Sequence, residues 1–171
     1  MAIIKSVRGY TPQYGLNCFF ADNAVIVGEV SMGDNCTVWF NAVVRGDVHS
    51  ITIGNNTNIQ DGAIIHCTYQ KAKTVIGNNV SIAHNAIVHG CTVMDNVLIG
   101  MGAILMDDAV IGEGSVIAAG AVVLPGTEVE PNSIYAGIPA KRIKDVGAEM
   151  KAVIERTAKN YPMYAEWFKN P

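Results

Sequence analysis

Aliphatic residues recur every six positions through most of the chain. A six-residue period fits neither the 3.6-residue turn of a helix nor the two-residue alternation of a simple strand. It is typical of short strands joined by tight turns, with three strands to a coil. The period therefore predicts an all-β fold, a parallel β-helix of about six coils. The repeating positions are Phe20, Ile26, Met32, Val38 and Val44; Ile53, Ile59 and Ile65; Ile76, Ile82 and Val88; and Val93, Ile99, Leu105, Ile111, Ile117, Val123 and Val129.

The length of 171 residues predicts a single domain, which we divide into three parts. Residues 1–19 are an N-terminal segment, and residues 20–134 form the β-helix. Residues 141–168 are expected to pack on the outside of the β-helix as a C-terminal helix followed by an aromatic tail.

Apolar residues near helical spacing predict that this amphipathic α-helix runs from about Lys141 to Lys159. Pro162 is expected to end the helix and to begin the aromatic tail, Tyr161 to Phe168. The apolar positions are Ile143, Val146, Met150, Val153 and Ile154.

The composition excludes several classes of protein. A chain with 50% hydrophobic and 16% charged residues is not disordered. The net charge of −3 provides no basic patch, which argues against nucleic-acid binding. No apolar run approaches the roughly 20 residues that cross a bilayer, and the first ten residues lack the apolar core of a signal peptide. We therefore expect a cytoplasmic protein that binds no membrane, with its cysteines reduced.

Three of the four histidines lie where the six-residue period is broken. His66 directly follows Ile65, and His89 directly follows Val88 in the next coil. The two histidines should stack on one face, about 4.8 Å apart, and point outward. His84 belongs to a different face of the β-helix.

Three histidines, with a fourth position left for water, are the ligand set of catalytic zinc. Because His84 cannot join His66 and His89 within one chain, a shared site predicts a homotrimer in which the neighbouring subunit donates His84. The alternative is that these histidines only form hydrogen bonds on a surface or at an interface.

Four polar residues accompany the histidines. Arg45 belongs to the column of the two stacked histidines, and Asp47 lies on the following bend. Gln60 and Asp61 share the face of the third histidine. Arg45 is placed to pair with Asp61 of the neighbouring subunit, or the charged residues form an ordinary salt bridge of the trimer. Gln60 could orient a metal-bound hydroxide and accept its proton, or it is a plain polar surface residue.

The repeats resemble those of the hexapeptide-repeat proteins, in which an aliphatic residue and glycine begin each six-residue unit. The resemblance covers residues 20–129, and residues 135–143 resemble the segment that closes the helix in many of these proteins. It implies that the parallel β-helix is left-handed.

The polar motifs narrow the resemblance to the γ-class carbonic anhydrases. This resemblance implies that the three histidines bind a divalent metal, zinc first and iron or cobalt otherwise. It also implies that the arginine and aspartates build the subunit interface and that the glutamine assists metal-bound water. The resemblance also implies that Tyr164 corresponds to a tyrosine near the active site of this family. The matching motifs are Arg45-Gly-Asp47, Asn58-x-Gln60-Asp61, His66 and His84-x-x-x-x-His89.

The activity implied by this resemblance is the reversible hydration of carbon dioxide to bicarbonate by a metal-bound hydroxide, a lyase reaction. The sequence departs from the family pattern at the proton shuttle. Val48 stands where the archetypal enzyme has a glutamate, and the loop 69–73 is basic. His49 is a candidate substitute shuttle, or a solvated histidine without a role.

Other functions remain open. Many hexapeptide-repeat proteins are acyltransferases that act on coenzyme A thioesters with one histidine as base, and a metal site could also hydrolyse thioesters. A third alternative is a non-catalytic, metal-binding trimeric scaffold. Cys67 and Cys91 are adjacent to the histidines, but the histidines alone complete the ligand set.

Overall fold

Short parallel strands wind into three-sided coils in the computed structural model of the chain, which describes residues 1–169. The strands stack into three flat faces, which we number face 1, face 2 and face 3. Two long strands, β4 (Val25–Met32) and β6 (Val43–Ile53), pass from face 1 into face 2. Face 1 continues with β8 (Ile64–His66), β11 (Ile87–His89), β14 (Ile104–Leu105) and β17 (Val122–Val123).

The other two faces are built in the same way. The N-terminal segment adds β1 (Ile3–Lys5) beside the start of β4 and β2 (Gln13–Tyr14) beside its end. Face 2 continues with β9 (Thr74–Ile76), β12 (Thr92–Val93), β15 (Val110–Ile111) and β18 (Glu128–Val129). Face 3 consists of β3 (Phe19–Phe20), β5 (Thr37–Val38), β7 (Asn58–Ile59), β10 (Ser81–Ile82), β13 (Leu98–Ile99), β16 (Val116–Ile117) and β19 (Ser133–Ala136).

The repeating aliphatic residues point inward and stack into ladders, which confirms the β-helix. Leu105 lies between Val88 and Val123 of the adjacent coils, and all three side chains are fully buried. Burying one such side chain contributes about 1.5–3 kcal/mol. Within residues 1–169, face 3 has seven parallel strands, one more than the six coils predicted. The extra coil was missed because its inward position is the aromatic Tyr135, beyond the aliphatic period.

The first break in the period has a different structure from the one expected. The spacing predicts that the extra residues between Val44 and Ile53 loop out, but β6 runs through them as one strand. The extra residues form a bulge where the pairing with β4 shifts register. Residues 67–73 do leave the sheet, as a hairpin closed by Thr68 and Ala72.

The C-terminal helix begins later than the sequence predicts. Residues Lys141–Asp145 form β20, antiparallel to β19, and α1 runs from Ala148 to Lys169. The apolar spacing was misleading because Ile143 lies on this edge strand and is 59% exposed. The helix covers face 3, where an apolar cluster joins it to the sheet. The cluster contains Val116, Val146 and Ile154, packed with Leu98, Ile134 and Met150.

Pro162 does not end the helix, contrary to the prediction, and the aromatic tail is its last part. A proline inside a helix costs about 3 kcal/mol. Each aromatic contact contributes about 0.5–1.5 kcal/mol beyond burial, so several of them offset this cost. The contacts are Trp39 with Tyr161, and Phe168 with Phe19, Trp39 and Phe40.

All four cysteines lie in the described part of the chain and are free thiols, and only Cys18 is not buried. The one helix in residues 1–169 has too little apolar length to span a bilayer.

Candidate metal centre

His66 and His89 end β8 and β11, and they are directly paired across face 1. Nδ1 of His66 lies 3.2 Å from Nε2 of His89, and both side chains are partly buried. The repeat places each histidine one residue after an inward valine or isoleucine, so both must point outward. The structure confirms the stacking that the coil length predicts.

Two carboxylates hold the outer nitrogens of these rings. Asp47 Oδ1 lies 3.1 Å from His66 Nε2, and Asp107 Oδ1 lies 2.7 Å from His89 Nδ1. Burial acts to raise the pKa of Asp47, but hydrogen bonds from Arg45 and His66 outweigh it and lower the pKa below its ordinary value. Burial likewise opposes, and hydrogen bonds from Thr68 and His89 cause, a lowered pKa at Asp107. Both groups are therefore ionised at neutral pH.

The resulting arrangement of ring nitrogens suits the binding of a metal cation. An ionised carboxylate only accepts hydrogen bonds, so the ring nitrogen that it faces must carry the proton. Burial lowers the pKa of His66, which keeps that ring neutral. When both rings are neutral, the tautomers that these carboxylates select leave His66 Nδ1 and His89 Nε2 facing each other as lone pairs. Lone pairs at this distance repel, and a divalent metal bound by both nitrogens removes the repulsion.

Arg45 lies in the same column, as predicted, because β6 pairs with β8 in the register that sets Val44 beside Ile65. Its guanidinium donates to Asp47 Oδ2 at 2.6 Å. Arg45 therefore braces the carboxylate that holds His66. The pairing of Arg45 with Asp61 of a neighbouring subunit stays a prediction.

His84 lies at the corner that follows β10, away from the two stacked histidines. Its Nδ1 is 3.0 Å from Asp61 Oδ2, which confirms that these residues share one part of the molecule. Both side chains are about two-fifths exposed. Within residues 1–169, no three His, Cys, Asp or Glu side chains are grouped so as to hold a metal ion.

Gln60 is buried at the end of β7, on the face that also carries β10. Its amide nitrogen donates to Asn58 Oδ1 at 3.0 Å, and the Asn58 amide donates to Ser81 Oγ at 2.8 Å. This chain of hydrogen bonds fixes the orientation of the Gln60 amide.

Tyr164 lies in α1, where its hydroxyl accepts a hydrogen bond from Asn160 at 3.1 Å. Its ring contacts Tyr161, whose pKa is raised to about 12 by burial, with further contributions from the charges of Asp61 and Tyr164. The C-terminal helix thus brings Tyr161, with Tyr164 beside it, within reach of the charge of Asp61.

His49 lies in the bulge of β6. Its Nδ1 accepts a hydrogen bond from the backbone N–H of Ser50 at 2.8 Å. With Arg8, Glu29 and Asp47 it lines a small cavity of about 100 Å³.

Sequence reasoning missed Asp107 and Thr68. Asp107 directly follows Met106, which stands in the histidine column one coil after His89. Extending the column by one more coil could have found the carboxylate. Thr68 carried no signal, because it reaches the site only through the fold of the inserted hairpin.

Comparison with known proteins identifies the family. Residues 90–125 match the family described as bacterial transferase hexapeptide (six repeats). A "Probable carbonic anhydrase" of Methanocaldococcus jannaschii is 47% identical over 150 residues, which cover 88% of this chain and 94% of that protein. Gamma carbonic anhydrase 2, mitochondrial, of Arabidopsis thaliana is 36% identical over 92% of this chain and 59% of its own length. The chain belongs to the γ-class carbonic anhydrase family.

This member of the γ-class family also has a close structural match. A hexapeptide transferase family protein from Anaplasma phagocytophilum superposes with a TM-score of 0.93 at 37% identity, covering 97% of this chain and 98% of the other. Proteins similar to this chain are therefore named as carbonic anhydrases in some cases and as a transferase in another. The fold alone does not separate these functions.

Proposed function

We propose that the protein hydrates carbon dioxide reversibly to bicarbonate at a divalent metal held between the subunits of a homotrimer. His66 and His89 of one subunit and His84 of the next would be the ligands. The observation that carries the proposal is the pair of facing ring nitrogens, each with a carboxylate on its outer side. A pair of histidines that only formed surface hydrogen bonds would not need both outer nitrogens to be held.

Neutral imidazole ligands leave a divalent metal its full positive charge. When bound, a divalent metal with three imidazole ligands lowers the pKa of water from 15.7 to about 7. Zinc is the proposed metal, since imidazole suits it, with iron or cobalt as alternatives.

The surface of face 1 supports the homotrimer. Face 3 is covered by α1. The outward residues of face 2 do not form a continuous apolar surface, because they include the polar Ser31, Thr52 and Glu128. Face 1 has two outward columns, and the one that precedes the inward residues, beside the histidine column, is aliphatic throughout, with none of its side chains fully buried. A continuous apolar surface of this kind is typical of a protein interface. The column is Val25, Val43, Ile64, Ile87, Ile104 and Val122.

The position of His84 agrees with this assembly. It lies on the turn that leads from β10 of face 3 into β11 of face 1, so it stands at an edge of the apolar face. In a threefold ring, the edge of one subunit meets face 1 of the next. This arrangement would carry His84 to the neighbour's His66 and His89.

The remaining polar residues would position the reactants. Gln60 donates through its amide nitrogen to Asn58, which leaves its amide oxygen to accept a hydrogen bond from the attacking water. Asp47 holds His66, and Arg45 holds Asp47. Tyr164 would close the site from the side of α1, where it lies beside Tyr161.

Proton release needs a group that exchanges protons with solvent near neutral pH. His49 is the proposed shuttle, since an imidazole can both accept and release a proton through its two ring nitrogens. It shares a cavity with Asp47, the carboxylate that contacts His66.

One observation favours a second function, the hydrolysis or transfer of acyl groups from coenzyme A thioesters. In the single chain, a cavity of about 440 Å³ opens beside His89 on face 1, far larger than carbon dioxide requires, and in a trimer the neighbouring subunit would form its outer wall. Its walls are mainly apolar and include Ile87, Ile104 and Pro125. An acyl chain could occupy this space.

The experiment that tests the proposal measures metal content per chain in protein purified without added metal or chelator. Carbon dioxide hydration is then followed by stopped flow on the same sample. We expect about one zinc or iron per chain with hydration activity. Metal without hydration would favour the thioesterase or a scaffold, and absence of metal after reconstitution would favour the acyltransferase.

Two variants sharpen this measurement. His84→Ala should abolish metal binding without unfolding the chain, because the side chain is exposed and lies outside the core. His49→Ala is the matched control, and it should keep its metal. Full metal content in His84→Ala would refute the shared site.

A further inference from the structure

Asp107 contacts His89 from outside the motifs that mark the family. It lies on the turn between β14 and β15, and its Oδ1 accepts from His89 Nδ1 at 2.7 Å. The nitrogen that faces an ionised carboxylate must be the protonated one. In the neutral ring, this contact places the proton of His89 on Nδ1 and leaves the Nε2 lone pair directed at His66.

Asp107 is itself braced by the hairpin inserted between β8 and β9. Thr68 Oγ1 donates to Asp107 Oδ2 at 2.5 Å. The backbone of Thr68 closes the hairpin by exchanging hydrogen bonds with Ala72, at 3.0 and 3.2 Å. The insertion that breaks the six-residue period therefore fixes the second oxygen of the carboxylate.

Gly90 leaves room for this arrangement. It has φ of +57°, and a Cβ at this position would overlap Asp107 Oδ1 and crowd the Cβ of Ala72. Any other residue at position 90 would push the carboxylate away from His89.

Asp107 differs from Asp34 and Asp95, two other carboxylates at corners of the β-helix. Asp34 Oδ1 accepts a hydrogen bond from the backbone N–H of Leu16 at 2.7 Å. Asp95 Oδ1 accepts a hydrogen bond from the backbone N–H of Asn78 at 2.8 Å. These residues cap the backbone of the adjacent coil. Asp107 instead directs both of its oxygens to side chains, those of His89 and Thr68.

We propose that Asp107, braced by Thr68, is a positioning residue that holds His89 in the Nδ1–H tautomer and aims its Nε2 at the metal. The proposal rests on the proposed metal site. Removing such an outer partner typically weakens metal binding 10- to 100-fold, which is the expected effect here.

The first experiment reads the tautomer of His89 by ¹⁵N-resolved NMR of the histidine rings in metal-free protein. We expect Nδ1–H in the wild type and loss of this preference in Asp107→Ala. Asp95→Ala, which removes a corner carboxylate with no histidine partner, should leave the tautomer unchanged. An Nε2–H ring in the wild type, or an unchanged tautomer in Asp107→Ala, would overturn the proposal.

The second experiment measures zinc affinity by competition with a chromophoric chelator. Asp107→Ala should lose about 10- to 100-fold, and Asp107→Asn, which keeps an acceptor oxygen, should recover most of the affinity. Thr68→Val, which keeps the β-branched shape and replaces only the hydroxyl, should lose less affinity, and it provides the test if Asp107→Ala does not fold. Wild-type protein that binds no zinc overturns the proposed function. Intact wild-type affinity with equal affinity in Asp107→Ala and Thr68→Val overturns this inference alone.

Discussion

Subunit mixing tests whether one metal site takes ligands from two chains. His84→Ala keeps the stacked pair His66 and His89, and His89→Ala keeps His84. The structure separates these groups, because the stacked pair ends strands of face 1 whereas His84 bonds to Asp61 at a corner. Each variant alone should hold no metal, since every site in its trimer lacks a ligand.

A mixed trimer restores some sites. A complete site needs a His84→Ala chain to supply the stacked pair and a His89→Ala chain as the neighbour that supplies His84. In an equal, random mixture each condition is met with a chance of one half. About a quarter of the sites are then complete, or about 0.25 metal per chain against about one in the wild type.

The assay is co-expression of the two variants with different affinity tags, two-step purification and metal analysis. Selecting trimers that contain both chains raises the expected value, because every mixed trimer has one complete site among its three. This gives about 0.33 metal per chain. A mixed trimer that holds no metal would refute the reasoning, since it is the result expected if one chain supplied all the ligands. A mixture of His49→Ala with wild type is the control for handling, and it should retain full metal.

Three further predictions concern the fold, the interface and a cysteine. Leu105→Ala should lower the free energy of unfolding by about 3–5 kcal/mol in urea denaturation, because the stacked strands hold the cavity open, whereas the exposed Met106→Ala should cost under about 1 kcal/mol. Ile87→Asp places a charge on the apolar column of face 1 and should convert the proposed trimer to monomers in sedimentation, with an unchanged circular dichroism spectrum. The hydrogen bond from Cys36 lowers the pKa of Cys18 to about 7, so alkylation of Cys18 should accelerate as pH rises through that value. Cys36→Ala should move the midpoint upward.

Much of the candidate site was predictable from residue spacing. In a β-helix the coil length sets which residues lie side by side, so His66 and His89 are paired once three turns make a coil. The same counting placed Arg45 in their column and Asp61 near His84. No side-chain detail is needed, because each inward aliphatic residue determines the direction of its neighbours.

The partners of these residues were less predictable. Arg45 bonds within its own chain to Asp47, two residues away, at a bulge whose shape depends on the pairing of β4 with β6. The last helical turns pass through Pro162, because contacts with Trp39 outweigh the local preference to stop. Local sequence rules do not include contacts with residues more than a hundred positions away.

The sequence by itself determined the coils, the ladders inside them and the stacking of the two histidines, because a strict period specifies the register of every strand. Only the tertiary structure decided that residues 141–145 form an edge strand, since the open edge of β19 is available to them only once the last coil has formed. It also decided that Asp107 holds His89. That contact needs a hairpin outside the period to brace the carboxylate through Thr68, and no repeat specifies where such an insertion folds.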